Sequence, residues 1–241
     1  MFSFSDISYG YTDKLSLDAI NLSIQKNEFV CLLGPNGSGK STLFKLLNGL
    51  IFPSKGNYIY NGTLINAQFF KNSMSAKKFH QQIGFVFQNS DVQLFNTTVY
   101  DEIAFGPRQM GLSEIEVITR VSDCLNLLNI KQLETRTPYH LSGGEKKLVA
   151  IASVLSLNPD VLILDEPLTG LTVQAQETII SIIKELHRAG KTIVMSTHNF
   201  NQIKNHPTRF IEFSENHTII LDKPAEIVLR DSNLTNHLAL M

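Results

Sequence analysis

The stretch Phe29-Val30-Cys31-Leu32-Leu33-Gly34-Pro35-Asn36-Gly37-Ser38-Gly39-Lys40-Ser41-Thr42 decides the fold. Phe29–Leu33 is apolar without alternation, the pattern of a strand buried on both faces. Residues 34–41 match the spacing G-x-x-x-x-G-K-[ST]. The physics behind that spacing is direct. Glycines let the backbone wrap so that its N–H groups converge on a phosphate. A helix N-terminus adds a partial positive charge at the same place. Lys40 is then positioned for the β- and γ-phosphates of a nucleotide, and the Ser41 hydroxyl for Mg²⁺. A chance match in a chain of this length has odds on the order of one in a hundred from average composition. The competing reading is a plain glycine turn. The context weakens it, because a buried-strand pattern precedes the turn and a helical pattern, Ser41–Leu50, follows it.

Working outward, Ile20, Leu22 and Ile24 alternate with polar residues, so the first thirty residues read as short strands and turns. Between 53 and 90, turn signals at Pro53, Gly56 and Asn61-Gly62 separate further short strands, including Gly84–Phe87. From about Thr98 to Leu157 the period becomes helical. Ile118, Val121, Leu125 and Leu128 share one face, as do Leu148, Ile151, Ala152 and Leu155. Val161–Leu164 is a second buried-strand run. A helix at about 174–189 carries Ile179, Ile182, Ile183 and Leu186 at helical spacing and ends on Arg188 and Gly190. Thr192–Ser196 is a third strand. This alternation predicts an α/β core with a mostly parallel sheet, an N-terminal β region and an inserted α-helical stretch.

The chain has 241 residues, which suits one large domain or one domain with a subdomain. With Lys plus Arg at 21 and Asp plus Glu at 22, the net charge is −1, which argues against a general nucleic-acid binder. The close pair Lys146-Lys147 reads as a solvated helix face. No apolar run approaches the roughly 18 residues of a membrane span. The start of the chain lacks the basic and apolar regions of a signal peptide. Cys31 and Cys124 have no metal-like spacing and form no evident disulfide framework.

Two further motifs carry chemistry. The run Val161–Leu164 ends in Asp165-Glu166, and adjacent acids at the end of a buried strand are costly unless used. Asp165 is placed to hold Mg²⁺, usually through water. Glu166 points the other way along the strand and can polarise an attacking water. Leu141-Ser142-Gly143-Gly144-Glu145 reads mechanically as a second anion site opening a helix. Taken alone, it reads only as a helix N-cap.

The order of these motifs resembles the nucleotide-binding ATPase subunit of ATP-binding-cassette (ABC) transporters. The order is phosphate loop 34–41, Gln88 after a strand, Leu141–Glu145, the acids 165–166, then His198 after another strand. The stretches Gly84-Phe-Val-Phe-Gln88-Asn, Gln93-Leu94-Phe95, Ala104–Pro107 and Leu141–Lys147 look most like the energy-coupling-factor (cobalt- and vitamin-type) ATPases. The resemblance implies a P-loop NTPase core with a mostly parallel sheet, an antiparallel N-terminal β subdomain and an inserted helical subdomain. The core would be 1–90 with 158–230, the helical subdomain about 91–157, and the C-terminal tail 231–241. Tyr11 would stack on adenine, with Tyr9 as the neighbouring candidate. Gly34, Pro35, Asn36, Gly37, Ser38, Gly39, Lys40, Ser41 and Thr42 would bind ATP. Ser142, Gly143 and Gly144 would bind the γ-phosphate of ATP held by a second ATPase subunit. Ser41, Gln88 and Asp165 would hold Mg²⁺. Glu166 would act as base, His198 would contact the γ-phosphate, and Gln88 would touch the attacking water. The implied partners are transmembrane transporter subunits and a second ATPase subunit, in a homodimer or a heterodimer, with no nucleic acid. The implied place is the cytoplasmic face of the membrane.

Four positions depart from the family pattern. Thr172 stands where Asp is usual, Leu168 where Thr or Ser is usual, Leu148 where Arg is common, and Asn199 where Asp is common. The loop around Thr172 normally braces the dimer interface. Its departure leaves a second reading open, an ATP-binding subunit that braces an active paralogue without turning over.

Overall fold

The computed structural model describes residues 1–240. The chain divides into two compact units. One is Met1–Ala76 with the chain from Leu186 onward, and the other is Lys77–Glu185.

The first unit is built on β1 (Phe2–Tyr9), β2 (Leu17–Ile24), β3 (Phe29–Leu33), α1 (Lys40–Leu47), β4 (Lys55–Tyr60) and β5 (Thr63–Leu64). The strands of the N-terminal sheet pair antiparallel in the order β2-β1-β4-β5. Ile20, Leu22 and Ile24 are buried, as their alternation predicts. β3 is buried along its whole length. It pairs in parallel with β8 (Thr192–Ser196) on one side and β9 (Arg209–Phe213) on the other. β10 (Ile219–Pro224) adds antiparallel to β9. The two flanking strands satisfy its backbone on both edges, and burial of both side-chain faces is why β3 carries no polar face. Tyr58 of β4, fully buried, donates its hydroxyl proton to Leu47 O at 2.8 Å and so ties the N-terminal sheet to the end of α1.

The predicted helix Ser41–Leu50 ends sooner, at Leu47. Gly49 N–H bonds Leu46 O and Leu50 N–H bonds Lys45 O, a terminating turn that uses the last carbonyls. Beyond Ser196 lie α7 (Phe200–Ile203), α8 (Ala225–Arg230) and α9 (Ser232–Ala239), the last within the stretch read as a tail. Asp231 caps α9 by accepting from Asn233 N–H and Leu234 N–H, and Leu238 is buried.

The second unit holds β6 (Ile83–Val86), α3 (Val99–Gln109), α4 (Glu114–Leu127), α5 (Gly143–Leu155) and β7 (Val161–Leu164). β6 and β7 pair in parallel, with Val86 opposite Leu164. In sequence, α2 (Ser73–Gln82) and α6 (Val173–Arg188) span the two points where the chain enters and leaves this unit. The strand–turn reading of 53–90 did not predict α2. Only Phe79 of that helix is buried, so it carries almost no apolar period. Of the four residues expected on the apolar face of α4, Val121, Leu125 and Leu128 are buried and only Ile118 is not. Val117 and Cys124 are buried as well. Both cysteines are buried free thiols.

Candidate functional site

The phosphate loop leaves the C-terminal end of β3. Gly34 (φ 137°) leaves no room for a side chain, since a Cβ there would lie 2.5 Å from Phe213 O. Gly39 (φ 109°) is equally confined, with Ser16 O 2.4 Å from the Cβ position. The two glycines therefore let the loop close against β9 and the strand entry at Ser16. Lys40 is buried, and its ammonium donates to Gly34 O at 2.6 Å and Pro35 O at 2.9 Å. The charge is thus held inside the turn rather than extended to solvent. α1 opens on Gly39 with no side-chain cap and no acid in its first turn. Ser38 Oγ is buried and, among the described residues, has no hydrogen-bond partner. An uncapped helix start, an enclosed ammonium and an orphaned hydroxyl fit the phosphates of ATP, which supply acceptors and negative charge.

His198 belongs to the same unit. Leu32 of β3 pairs with Ser196 of β8, and Thr197 N–H bonds Leu32 O at 3.1 Å. His198 therefore emerges, exposed, at the same strand ends as the phosphate loop. The next residue, Asn199, caps α7 by accepting from Gln202 N–H, a task that Asn and Asp do about equally well. Tyr11 is half exposed. Its ring sits edge-on to Tyr9 at 5.1 Å, and Lys45 of α1 donates to its hydroxyl at 3.1 Å.

In the second unit, Gln88 and Glu166 each lie two residues past the paired strand ends Val86 and Leu164. Asp165 N–H bonds Val86 O at 3.0 Å. Gln88 Nε2 donates to Glu166 Oε2 at 3.4 Å, and Thr169 Oγ1 donates to the same oxygen at 3.0 Å. Asp165 and Glu166 are both buried. Glu166 also has φ 41°, in the left-handed region, which costs an ordinary residue on the order of 1–3 kcal/mol. Strain at that carboxylate is what a site that fixes its direction would show. Within this unit Gln88 and Asp165 offer amide and carboxylate oxygens, and in the first unit Ser41 offers a hydroxyl; by their chemistry all are hard donors of the kind that suits Mg²⁺.

Ser142 opens α5 in a reciprocal capping box. Its hydroxyl accepts from Glu145 N–H, while Ser142 N–H and Oγ–H donate to Glu145 Oε2 at 2.8 Å each. These bonds hold the Glu145 carboxyl below its usual range. Gly143 and Gly144 form the first turn. A Cβ on Gly144 would come 3.2 Å from Ala175 Cβ. The four departures have local accounts in part. Thr172 Oγ1 accepts from Ala175 N–H as α6 begins, and Gln176 Nε2 donates to Leu168 O and Leu171 O. Leu168 is buried, at home in an apolar setting. Leu148 is half-buried on α5, and nothing in the structure explains it in place of Arg.

One expectation is corrected here. Lys146-Lys147 is not a solvated face. Lys146 pairs with Asp91 at 2.7 Å, and Lys147 is 3 % exposed. Lys147 Nζ donates to Phe87 O at 2.9 Å and Gln88 O at 2.7 Å. Burial brings its pKa down to about 8, against the pull of the nearby Asp165 charge. Lys147, Thr169 and Gln93 are neighbours of the site that the sequence reading did not select. The only signal for Lys147 was its spacing, five residues after Ser142 on a helix whose next turns are apolar.

The family model for ABC transporters matches residues 17–169. The chain is 49% identical over 222 residues to the nickel import ATP-binding protein LarO of Lactiplantibacillus plantarum, covering 92% of each. It is 41% identical over 241 residues to the energy-coupling factor transporter ATP-binding protein EcfA of Methanothermobacter thermautotrophicus, covering 100% of this chain and 76% of that one. Among solved structures, cbiO1 from Clostridium perfringens, part of the ABC transporter complex cbiONQ, superposes with a TM-score of 0.85. It shares 33% identity, over 99% of this chain and 94% of cbiO1.

Proposed function

The chain belongs to the ABC transporter family as an ATP-binding, ATP-hydrolysing subunit most like the energy-coupling-factor ATPases, and from that premise we propose how its residues do the work and what they drive. Its ATPase activity energises import of a small solute through separate membrane components. The proposed solute is a metal ion or a vitamin. The 49% identity to a nickel import protein favours the metal ion.

The observation that carries the site assignment is the meeting of Gln88 Nε2 and Thr169 Oγ1 on Glu166 Oε2. A carboxylate fixed by two donors on one oxygen keeps a defined direction for a proton from an attacking water. Lys40, Ser38 and the uncapped start of α1 bind the phosphates. His198 contacts the γ-phosphate, and Tyr11 stacks on adenine. Ser142, Gly143 and Gly144 close on ATP held by a second ATPase subunit. Mg²⁺, held by Ser41, Gln88 and Asp165, would neutralise charge on the phosphates. Glu166 and its donors are in place, which favours an active subunit over a bracing one. Thr172 Oγ1 accepts from Ala175 N–H at the start of α6, a bond that an Asp carboxylate could also make.

The helical subdomain, about 91–157, transmits closure to the membrane subunits at the cytoplasmic face. A cleft of about 610 Å³ supports this; the Asp91–Lys146 ion pair lines it beside Leu94, Phe95, Asn96, Pro138 and Tyr139, with Phe95 and Tyr139 exposed. Among the described residues no helix is long and apolar enough to cross a membrane.

The test is co-purification of the tagged chain with its membrane subunits, followed by ATP binding in that complex. Lys40→Ala should lose ATP binding while the complex stays assembled. Unchanged ATP affinity in Lys40→Ala refutes the phosphate-loop assignment. Restoring Asp at Thr172 should leave turnover within about twofold, and a large rise would show that the loop limits it.

A further inference from the structure

The loop that carries Gln88 is strapped to the helix that opens on Ser142. Lys147 of α5 donates to the carbonyls of both Phe87 and Gln88. Gln93 Oε1 accepts from Phe87 N–H at 3.0 Å, and its Nε2 donates to Ala150 O at 3.1 Å. Lys146 pairs with Asp91. The contacts on α5 thus fall at 146, 147 and 150, within one turn. An ammonium is an expensive group to bury, and one held between two backbone carbonyls persists because it satisfies both acceptors. A lysine on the opposite side of the helix would have met the solubility role at no such cost.

We propose that Lys147 is a positioning residue for hydrolysis. It fixes the backbone of Phe87 and Gln88 to α5, so that Gln88 reaches Glu166 in a set geometry and follows the Ser142 end of the helix. Lys147 acts through Gln88 and touches neither nucleotide nor water. The proposal rests on the reading that Gln88 and Glu166 carry hydrolysis.

The linkage has a direction. α5 begins with the residues that meet a partner subunit's nucleotide, and the Lys147 amine lies little more than one turn further on. Any shift of α5 on closure is handed to two consecutive carbonyls of the Gln88 loop rather than to a flexible side chain. Without Lys147, Gln88 keeps its amide but loses its placement. A misplacement of about 1 Å at a reacting group can cost about 100-fold in rate.

The test uses the full chain and compares Lys147→Met, which keeps length and removes both donors, with Lys147→Arg, which keeps charge and donors. Amide hydrogen exchange is read at Phe87, Gln88 and Asn89, alongside ATP affinity and turnover in the assembled transporter. Lys147→Met should speed exchange at these amides by about tenfold or more, as expected when two charge-assisted bonds are lost. Its kcat should fall by about 10- to 100-fold with ATP affinity within about twofold, and Lys147→Arg should recover part of both. If Lys147→Met does not fold, Lys147→Gln should give the same pattern. Unchanged exchange at 87–89 overturns the proposal. So does faster exchange with unchanged turnover, since Lys147 would then hold the loop without positioning Gln88. A fall in ATP affinity equal to the fall in turnover also overturns it. Glu166→Gln measured beside these variants separates the two readings, because unchanged turnover there refutes the hydrolytic site itself.

Discussion

Gly84 sits in β6 opposite Leu162 of β7, with α5 packed directly over it. A Cβ added at this position would lie 2.2 Å from Val154 Cγ1 and 3.1 Å from Pro159 Cγ. Ordinary carbon contact is 3.5–4.0 Å, so the methyl must push Val154 back by roughly 1.5 Å. Val154 is β-branched on a helix and has one strongly preferred rotamer, so it cannot swing aside. The displacement falls on α5 itself. Overpacking of this kind costs about 1–3 kcal/mol. For a chain of this size that lowers Tm by roughly 2–4 °C per kcal/mol. The same shift moves α5 away from the Gln88 loop and lengthens the bonds of Lys147. Gly84→Ala should therefore lower both stability and turnover. Val154→Ala removes the clashing methyl, and its own cost is small because Val154 is only half-buried. The double variant should then be more stable than the sum of the single effects by about 1 kcal/mol or more, the range for residues in contact. Urea unfolding of the four proteins measures that coupling, and steady-state ATPase assays of the same proteins test whether turnover recovers with it. Additivity within about 0.5 kcal/mol would refute the packing argument.

Other expectations follow from the same structure. Ser142→Ala breaks the capping box of α5 and should cost about 1 kcal/mol at pH 7, read by thermal unfolding. The Glu145 carboxyl is depressed in the folded chain by the Ser142 N–H and hydroxyl, so its contribution is present above about pH 4.3 and lost as pH falls through the folded value. The stability gap between wild type and Ser142→Ala should therefore narrow from pH 6 to pH 3, and a constant gap would contradict that reading. Cys31 and Cys124 are buried, with burial pushing Cys31 far up and Cys124 up to about 12. Neither should react with a disulfide reagent at pH 8 until denaturant is added, and a rapid native reaction would show that the core around them opens.

The fold was legible where burial on two faces suppresses polarity. β3 and β7 are continuous apolar runs and β8 is apolar between Thr192 and Ser196, and all three fall on their expected residues without a shift. α6 was legible because its buried isoleucines repeat at the helical period. α2 was not, because one buried phenylalanine makes no period. On α4 the residue chosen to start the stripe, Ile118, is apolar yet exposed, and its neighbour Val117 is buried in its place, while Val121, Leu125 and Leu128 are buried as expected. Composition cannot distinguish neighbouring apolar residues on a helix when both are β-branched.

The site was legible by kind more than by geometry. The phosphate loop and the acids 165–166 carry their chemistry in their spacing. The meeting of Gln88 with Glu166 joins residues 78 apart, and it exists only because β6 and β7 pair in register. Lys147 was read as a solvated charge because lysines generally are. Its burial depends on two carbonyl oxygens supplied by a loop some 60 residues earlier, which no local pattern contains.

We propose that Glu166 takes the proton of the water that cleaves ATP. It is tested most directly by phosphate release from Glu166→Gln in the assembled complex, measured beside ATP binding in the same preparation. Glu166→Gln should retain ATP binding while phosphate release falls by about 100-fold or more, the size expected when a general base is removed. Phosphate release at the wild-type rate, with ATP bound equally well, would contradict it.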